Sequence, residues 1–334
     1  MSNDMWPEFV ALIEAGKGRP GLYEMDLASA RAIMEKALIR WAGDPPPGCT
    51  RRDVIVPTKH RDVAVRVYTP NREVGSLRPL IIVFHGGGFV LGSLDTQDAI
   101  AHRIALESNS IVVSVDYSLA PERPFPEGIN DGFAVYEWIR QNGDALGAHP
   151  AQLGVWGESA GATVAAAVAL MARDRQVAPA AQCLLYPALC STLKTQAWDT
   201  LGTDYGLTRE TMAWFWRQYL QGTQPCSSAY AEPLHAESLI GMPPTILVTA
   251  GLDPLRDEGA AYARRLRDAG TGVTFDCVEG AIHGFLCRPS ISPRANSLLS
   301  HYITAFGDLL HRVGHEGSED SPPSRSDIIT RSAP

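Results

Sequence analysis

The stretch Leu153-Gly154-Val155-Trp156-Gly157-Glu158-Ser159-Ala160-Gly161 constrains the fold of this chain more than any other. Its first half is an apolar strand. A long alanine-rich helix follows, to about residue 173, and one sharp turn must join the two. Ser159 stands at the apex of that turn, with Gly157 and Gly161 two residues away on either side. Small residues are needed there because the flanking backbones pass close to one another. The turn exposes the hydroxyl, and the helix that begins at the serine aims its free N–H groups and positive dipole end at the same place. Taken alone, the motif also fits a serine N-cap on a buried helix, so the rest of the chain must decide.

From Leu80 onward the pattern is α/β. Leu80-Ile81-Ile82-Val83-Phe84 is apolar on both faces, as in a parallel strand covered on each side. Further strands are expected over 111–115, 153–156, 181–185, 245–250 and 273–278, with helices over 133–140, 159–173 and 258–269. Upstream, 53–56 reads as a short strand. Val63, Val65 and Val67 alternate with Ala64 and Arg66, the mark of a half-buried antiparallel strand. The fold class is therefore α/β, a mostly parallel central sheet with helices on both faces.

Two regions stand outside this alternation. Helices over about 5–15 and 27–41 precede the first strand and end at Asp44-Pro45-Pro46-Pro47-Gly48, a stiff hinge. They fit a cap over the main domain or an arm that pairs with a second copy. Residues 191–239 hold Trp198, Trp214, Phe215, Trp216, Tyr219 and Tyr230 and read as helices without a strand. Such an insertion fits a lid over a pocket, or a plain excursion packed on the core. The expected organisation is thus N-terminal cap helices over 1–45, core over 50–190, a cap insertion over 191–239, core again over 240–312, and a polar, disordered tail over 313–334.

Composition excludes several roles. The net charge is -8, from 29 Lys and Arg against 37 Asp and Glu, and no basic run interrupts it. Nucleic acid and anionic membranes are disfavoured as partners. The first residues lack the basic and then apolar segments of a secretion signal, and no apolar run is long enough to anchor the chain in a membrane, so the cytoplasm is the expected location. Cys49, Cys183, Cys190, Cys226, Cys277 and Cys287 form no C-x-x-C pair and no zinc-type spacing with histidine. They read as free thiols, and no metal is expected.

The strand ending at Phe84 runs into His85-Gly86-Gly87-Gly88-Phe89. Three consecutive glycines make sense where backbone N–H groups must point, unobstructed, at something negative. A phosphate cradle would need a Lys-Ser/Thr ending, which is absent. An oxyanion formed during acyl transfer to a serine is the alternative, and the N–H groups of Gly87, Gly88 and Ala160 are assigned to it. His85 is expected to hold the loop. Of nine histidines, His283 follows the last strand, at the same carboxyl edge as Ser159, and is the expected base. His60, His102, His149, His235, His301, His311 and His315 fall in early turns, helices, the insertion or the tail. Asp253 follows the 245–250 strand and is expected to orient that imidazole. Its rivals Asp257 and Glu258 fall in the first turn of the next helix, where they complement the dipole.

Together His85-Gly86-Gly87-Gly88-Phe89, Gly157-Glu158-Ser159-Ala160-Gly161, Asp253-Pro254-Leu255-Arg256-Asp257-Glu258 and His283-Gly284-Phe285 resemble the bacterial hormone-sensitive lipase family of esterases, within the α/β-hydrolase fold. Asp116-Tyr117-Ser118-Leu119-Ala120-Pro121-Glu122, Pro124-Phe125-Pro126 and Met242-Pro243-Pro244 extend the likeness, which spans about residues 50–312. The resemblance implies hydrolysis of small apolar carboxylesters with a short or medium acyl group, without metal or cofactor. It also implies a cap built from the N-terminal helices and the insertion, and a possible homodimer. Phe89 and Trp214 are the candidate pocket aromatics. Two residues depart from the family pattern: Glu158 stands where Asp or Thr is more frequent, and Ser118 where Arg is usual. Two other functions fit the same scaffold, a binding protein that has lost catalysis and an acyltransferase that passes the acyl group to an alcohol or amine.

Overall fold

A computed structural model describes residues 4–72, 77–221 and 228–319, with side chains described through Val313. The strands are Cys49–Val56 (β1), Val63–Pro70 (β2), Arg78–Phe84 (β3), Ile111–Val115 (β4), Ala148–Glu158 (β5), Ala181–Leu185 (β6), Thr245–Leu252 (β7) and Val273–Ile282 (β8). Among the described residues they make one sheet in the order β1-β2-β4-β3-β5-β6-β7-β8. β2 pairs antiparallel with β1 and with β4, and every later pair is parallel. The helices are Pro7–Gly16 (α1), Leu27–Ala42 (α2), Leu94–Glu107 (α3), Glu127–Asn142 (α4), Ala160–Asp174 (α5), Gln196–Leu201 (α6), Arg209–Leu220 (α7), Arg256–Asp268 (α8) and Pro293–Glu319 (α9).

The continuous apolar run of β3 is buried throughout. Its alternation divides two core layers. Leu80, Ile82 and Phe84 face a layer with Phe133 of α4, the alanines of α5 and Tyr262 of α8. Ile81 and Val83 face a second layer with Phe9 of α1, Ile104 of α3 and Phe306 of α9. Helix α5 is buried from Ala160 to Ala172. A helix apolar on every side belongs inside, and its short side chains let it lie close to the sheet.

Both N-terminal helices lie against this domain. The Arg31 guanidinium of α2 donates to Val90 O (2.9 Å) and Ala120 O (3.1 Å) and pairs with both Glu122 carboxylate oxygens. Trp6, at the start of α1, donates through its indole N–H to Glu279 O and through its backbone N–H to Gly280 O. Helix α9 continues to Glu319, so the boundary expected at residue 313 falls inside it. The tail over 320–334 lies outside the described residues, as does Cys226, while Cys49, Cys183, Cys190, Cys277 and Cys287 carry free thiols. Among the described residues no helix is long and apolar enough to cross a membrane.

The position of Ser118 has a structural answer. Its N–H donates to Asp131 (2.9 Å), and a guanidinium arrives there from a distant part of the chain. Arg61, in the turn between β1 and β2, reaches both Asp131 oxygens at 2.8 to 3.1 Å and Asp116 O at 2.9 Å. Asp131 is buried, so this forked pairing satisfies a carboxylate that would be costly to leave alone.

Candidate active site

Sheet register assembles the site. Glu158, the last residue of β5, pairs with Leu185 of β6, and Gly157 pairs with Phe84 of β3. The turn carrying Ser159 therefore leaves the sheet beside the loop that begins at His85. On the other side Leu252 of β7 pairs with Ile282 of β8. The next residue on each strand, Asp253 and His283, thus emerges at the same carboxyl edge.

Ser159 adopts φ 52° and ψ -122°, a conformation L-residues rarely hold. The surroundings force it. A Cβ on Gly157 would come within 2.1 Å of Gly161 O, and one on Gly161 within 2.2 Å of Phe84 O. Strand, turn and helix are packed backbone to backbone, and only glycine fits at either position. The Ser159 N–H donates to Leu185 O (2.9 Å), fixing the apex to the end of β6.

Ser159 Oγ lies 2.9 Å from His283 Nε2, and His283 Nδ1 lies 2.7 Å from Asp253 Oδ2. Asp253 is fully buried, and its Oδ1 accepts the Leu255 N–H at 2.9 Å. Arg288 donates to His283 O at 2.6 Å and holds the loop after β8. The rivals of Asp253 are occupied elsewhere. Asp257 accepts the Ala197 N–H at 2.8 Å. Glu258 accepts the Leu189 N–H at 2.6 Å and is itself buried, so it ties α8 to the end of β6 besides lying at the helix N-terminus.

The glycine loop turns through three positive φ values in succession, 125° at Gly87, 61° at Gly88 and 66° at Phe89. Gly87 O accepts the N–H groups of Val90 and Leu91. Among the described residues the N–H groups of Gly87 and Gly88 donate to no protein acceptor. His85 is buried; its Nδ1 lies 2.8 Å from Gly86 O and its ring stacks on Tyr117, whose hydroxyl donates to His85 O. It is a structural part of the loop, as its sequence position suggested.

This arrangement can remove a proton from a serine hydroxyl and receive a developing negative charge nearby. The comparisons agree with it. A family described as having the alpha/beta hydrolase fold matches residues 81–287. The carboxylic ester hydrolase LipN of Mycobacterium tuberculosis is 36% identical over 86% of this chain and 78% of its own length. An arylesterase of Saccharolobus solfataricus is 33% identical over 80% of this chain and 87% of its own. The chain belongs to the hormone-sensitive lipase family of α/β-hydrolase esterases. Among solved structures, an α/β-hydrolase from a Lake Arreo metagenome superposes with a TM-score of 0.88 at 34% identity, covering 95% of this chain and all (100%) of that one. A thermostable Pseudomonas putida esterase gives 0.87 at 31% identity, over 93% and 99%.

In this α/β-hydrolase the insertion packs directly on the glycine loop. A Cβ on Gly88 would meet the Phe215 ring of α7 at 2.3 Å. Phe89 is buried beneath α7, stacked on Tyr219 with ring centroids 3.9 Å apart and 5.2 Å from Trp216. It joins the loop to α7. Trp214, half-buried beside Phe215, is the more accessible of the two pocket candidates.

Sequence reasoning had no role for what surrounds Glu158. Its buried carboxyl accepts the Tyr186 hydroxyl (3.3 Å) and the Cys287 thiol. These partners lie far apart in the chain, and no motif links them. Burial pushes the Glu158 carboxyl above its ordinary range; the Cys287 and Tyr186 hydrogen bonds and the His283 charge oppose this without cancelling it. A carboxyl raised in the folded state keeps its proton where the unfolded chain has lost one. Its contribution to stability is therefore complete below the ordinary glutamate range and is lost as pH rises through the folded value. Glu158→Gln removes that titration. The Tm of the variant minus that of the parent is expected to become more positive above the glutamate range, by roughly 1–2 °C per pH unit, until the folded carboxyl ionises. Calorimetry across pH checks it, and a difference independent of pH contradicts it.

Proposed function

We propose that this α/β-hydrolase is a carboxylesterase that cleaves small apolar esters with short or medium acyl groups through an acyl-enzyme. The connected hydrogen bonds from Ser159 to His283 to Asp253 carry this reading. The ester carbonyl oxygen binds against the N–H groups of Gly87, Gly88 and Ala160. His283 takes the Ser159 proton as the hydroxyl attacks the carbonyl carbon, and Asp253 holds the imidazolium that forms. The oxyanion draws on the backbone donors, each worth about 3 kcal/mol in comparable sites. His283 then gives the proton to the leaving alcohol, and water repeats the sequence on the acyl-enzyme.

The buried aromatics of α7 over the glycine loop support an apolar, confined acyl site. A series of p-nitrophenyl esters from two to twelve carbons tests the reading. Turnover per unit KM is expected to peak at or below about eight carbons and to fall at least tenfold by twelve, as a closed pocket runs out of room for further methylenes. Hydrolysis of none of the series, or an efficiency still rising at twelve carbons, would overturn it. Product analysis with a competing alcohol separates hydrolysis from acyl transfer.

A further inference from the structure

Away from the Ser159 relay, ligand-type side chains converge at the neck of the insertion. Cys190 stands just past β6, where the insertion begins, and Glu232 and His235 stand at the short turn Pro233–His235 where it ends. One donor atom from each lies within 4.8 Å of the other two. Cys190 Sγ is 3.3 Å from His235 Nε2 and 3.1 Å from the Thr192 hydroxyl. A tetrahedral zinc ion with a sulfur arm of about 2.3 Å and a nitrogen arm of about 2.0 Å holds those two donors roughly 3.5 Å apart, so sulfur and nitrogen already have the required separation.

Glu232 supplies the second, independent sign. It is 1% exposed, and while its Oε1 accepts the Ser191 N–H at 2.6 Å, its Oε2 has no hydrogen-bond partner among the described residues. A buried carboxylate oxygen without a donor is costly unless a cation meets it. A divalent cation binds the Cys190 thiolate, so its binding displaces the thiol proton. His235 is exposed and leaves a route for the ion from solvent.

We propose that Cys190, Glu232 and His235 bind one zinc-class divalent cation, with a solvent molecule completing the coordination. A mixed sulfur, nitrogen and oxygen set selects a borderline metal over magnesium or calcium, which take oxygen ligands. Because its ligands come from both ends of the insertion, the bound ion clamps the neck from which α7 extends over the glycine loop. The site takes no part in the Ser159 chemistry, so its test does not depend on esterase turnover. Linear spacing hides it, since the cysteine and the histidine are separated by the whole insertion.

The test uses the full-length chain, dialysed against a chelator and titrated with cobalt(II) while the thiolate-to-metal charge-transfer absorption is followed, then with zinc. The expected result is saturation at one cobalt per chain, loss of the band when zinc displaces cobalt, and a zinc-dependent rise in Tm. His235→Ala changes an exposed residue, so its fold is preserved; it is expected to weaken binding at least tenfold. Cys190→Ser is expected to lose the band. Absence of a saturable band in the parent overturns the site. So does an unchanged band and affinity in His235→Ala, or a band that persists in Cys190→Ser.

Discussion

Ser159→Ala is expected to lower kcat by at least a thousandfold and to leave Tm almost unchanged. In the proposed mechanism this hydroxyl, 2.9 Å from His283 Nε2, forms the acyl bond. Loss of the nucleophile in serine hydrolases removes most of the catalysis, and what remains comes from binding and the oxyanion donors. The fold should tolerate the change. The unusual backbone at φ 52° is imposed by the contacts of Gly157 and Gly161 and by the bond from the residue 159 N–H to Leu185 O, none of which uses the side chain. Steady-state kinetics with a short-chain ester, beside a thermal scan, reads both quantities. Turnover near that of the parent would move the nucleophile elsewhere.

Asp253→Asn is expected to cost about 10³ to 10⁴ in kcat with only a small change in KM. The argument is one of tautomers. Asp253 accepts twice, at Oδ2 from His283 Nδ1 and at Oδ1 from the Leu255 N–H. An asparagine has one oxygen. If it keeps the Leu255 bond, its NH2 faces Nδ1 and holds the ring proton on Nε2, where it blocks acceptance of the Ser159 proton. If it turns over, its NH2 opposes the Leu255 N–H in a fully buried position. Either outcome removes the base or strains its support. A variant within tenfold of the parent would show that Asp253 does not orient His283.

Ser159 and Asp253 each follow a buried apolar strand and His283 follows the last, alternating edge strand, and that is why they were legible in the sequence. The glycine loop was legible for the same reason, immediately after Phe84. What the sequence did not contain was strand order. The pairing of Leu252 with Ile282, which brings Asp253 to His283, depends on the crossover from β7 through α8 to β8 and on a register irregularity between Ala250 and Leu252. Contacts between distant segments were equally hidden. Glu158 meets Cys287, Arg61 meets Asp131, and Cys190 meets His235, and none of these pairs shares a motif. Glu258 read as a helix-dipole residue, yet it is buried because the chain after β6 folds back over the start of α8 and needs an acceptor for the Leu189 N–H. The end of α9 was missed because glycine and polar residues beyond residue 313 resemble a tail, whereas the helix continues to Glu319.

The central claim is that one hydroxyl, at the apex of the turn between β5 and α5, carries the acyl group. An organophosphonate that traps serine nucleophiles tests it most directly. After incubation and proteolysis, mass spectrometry should find one phosphonyl group per chain, on the peptide containing Ser159, with esterase activity lost in proportion to labelling. Stoichiometric labelling of any other residue, or full activity with Ser159 modified, would contradict the account.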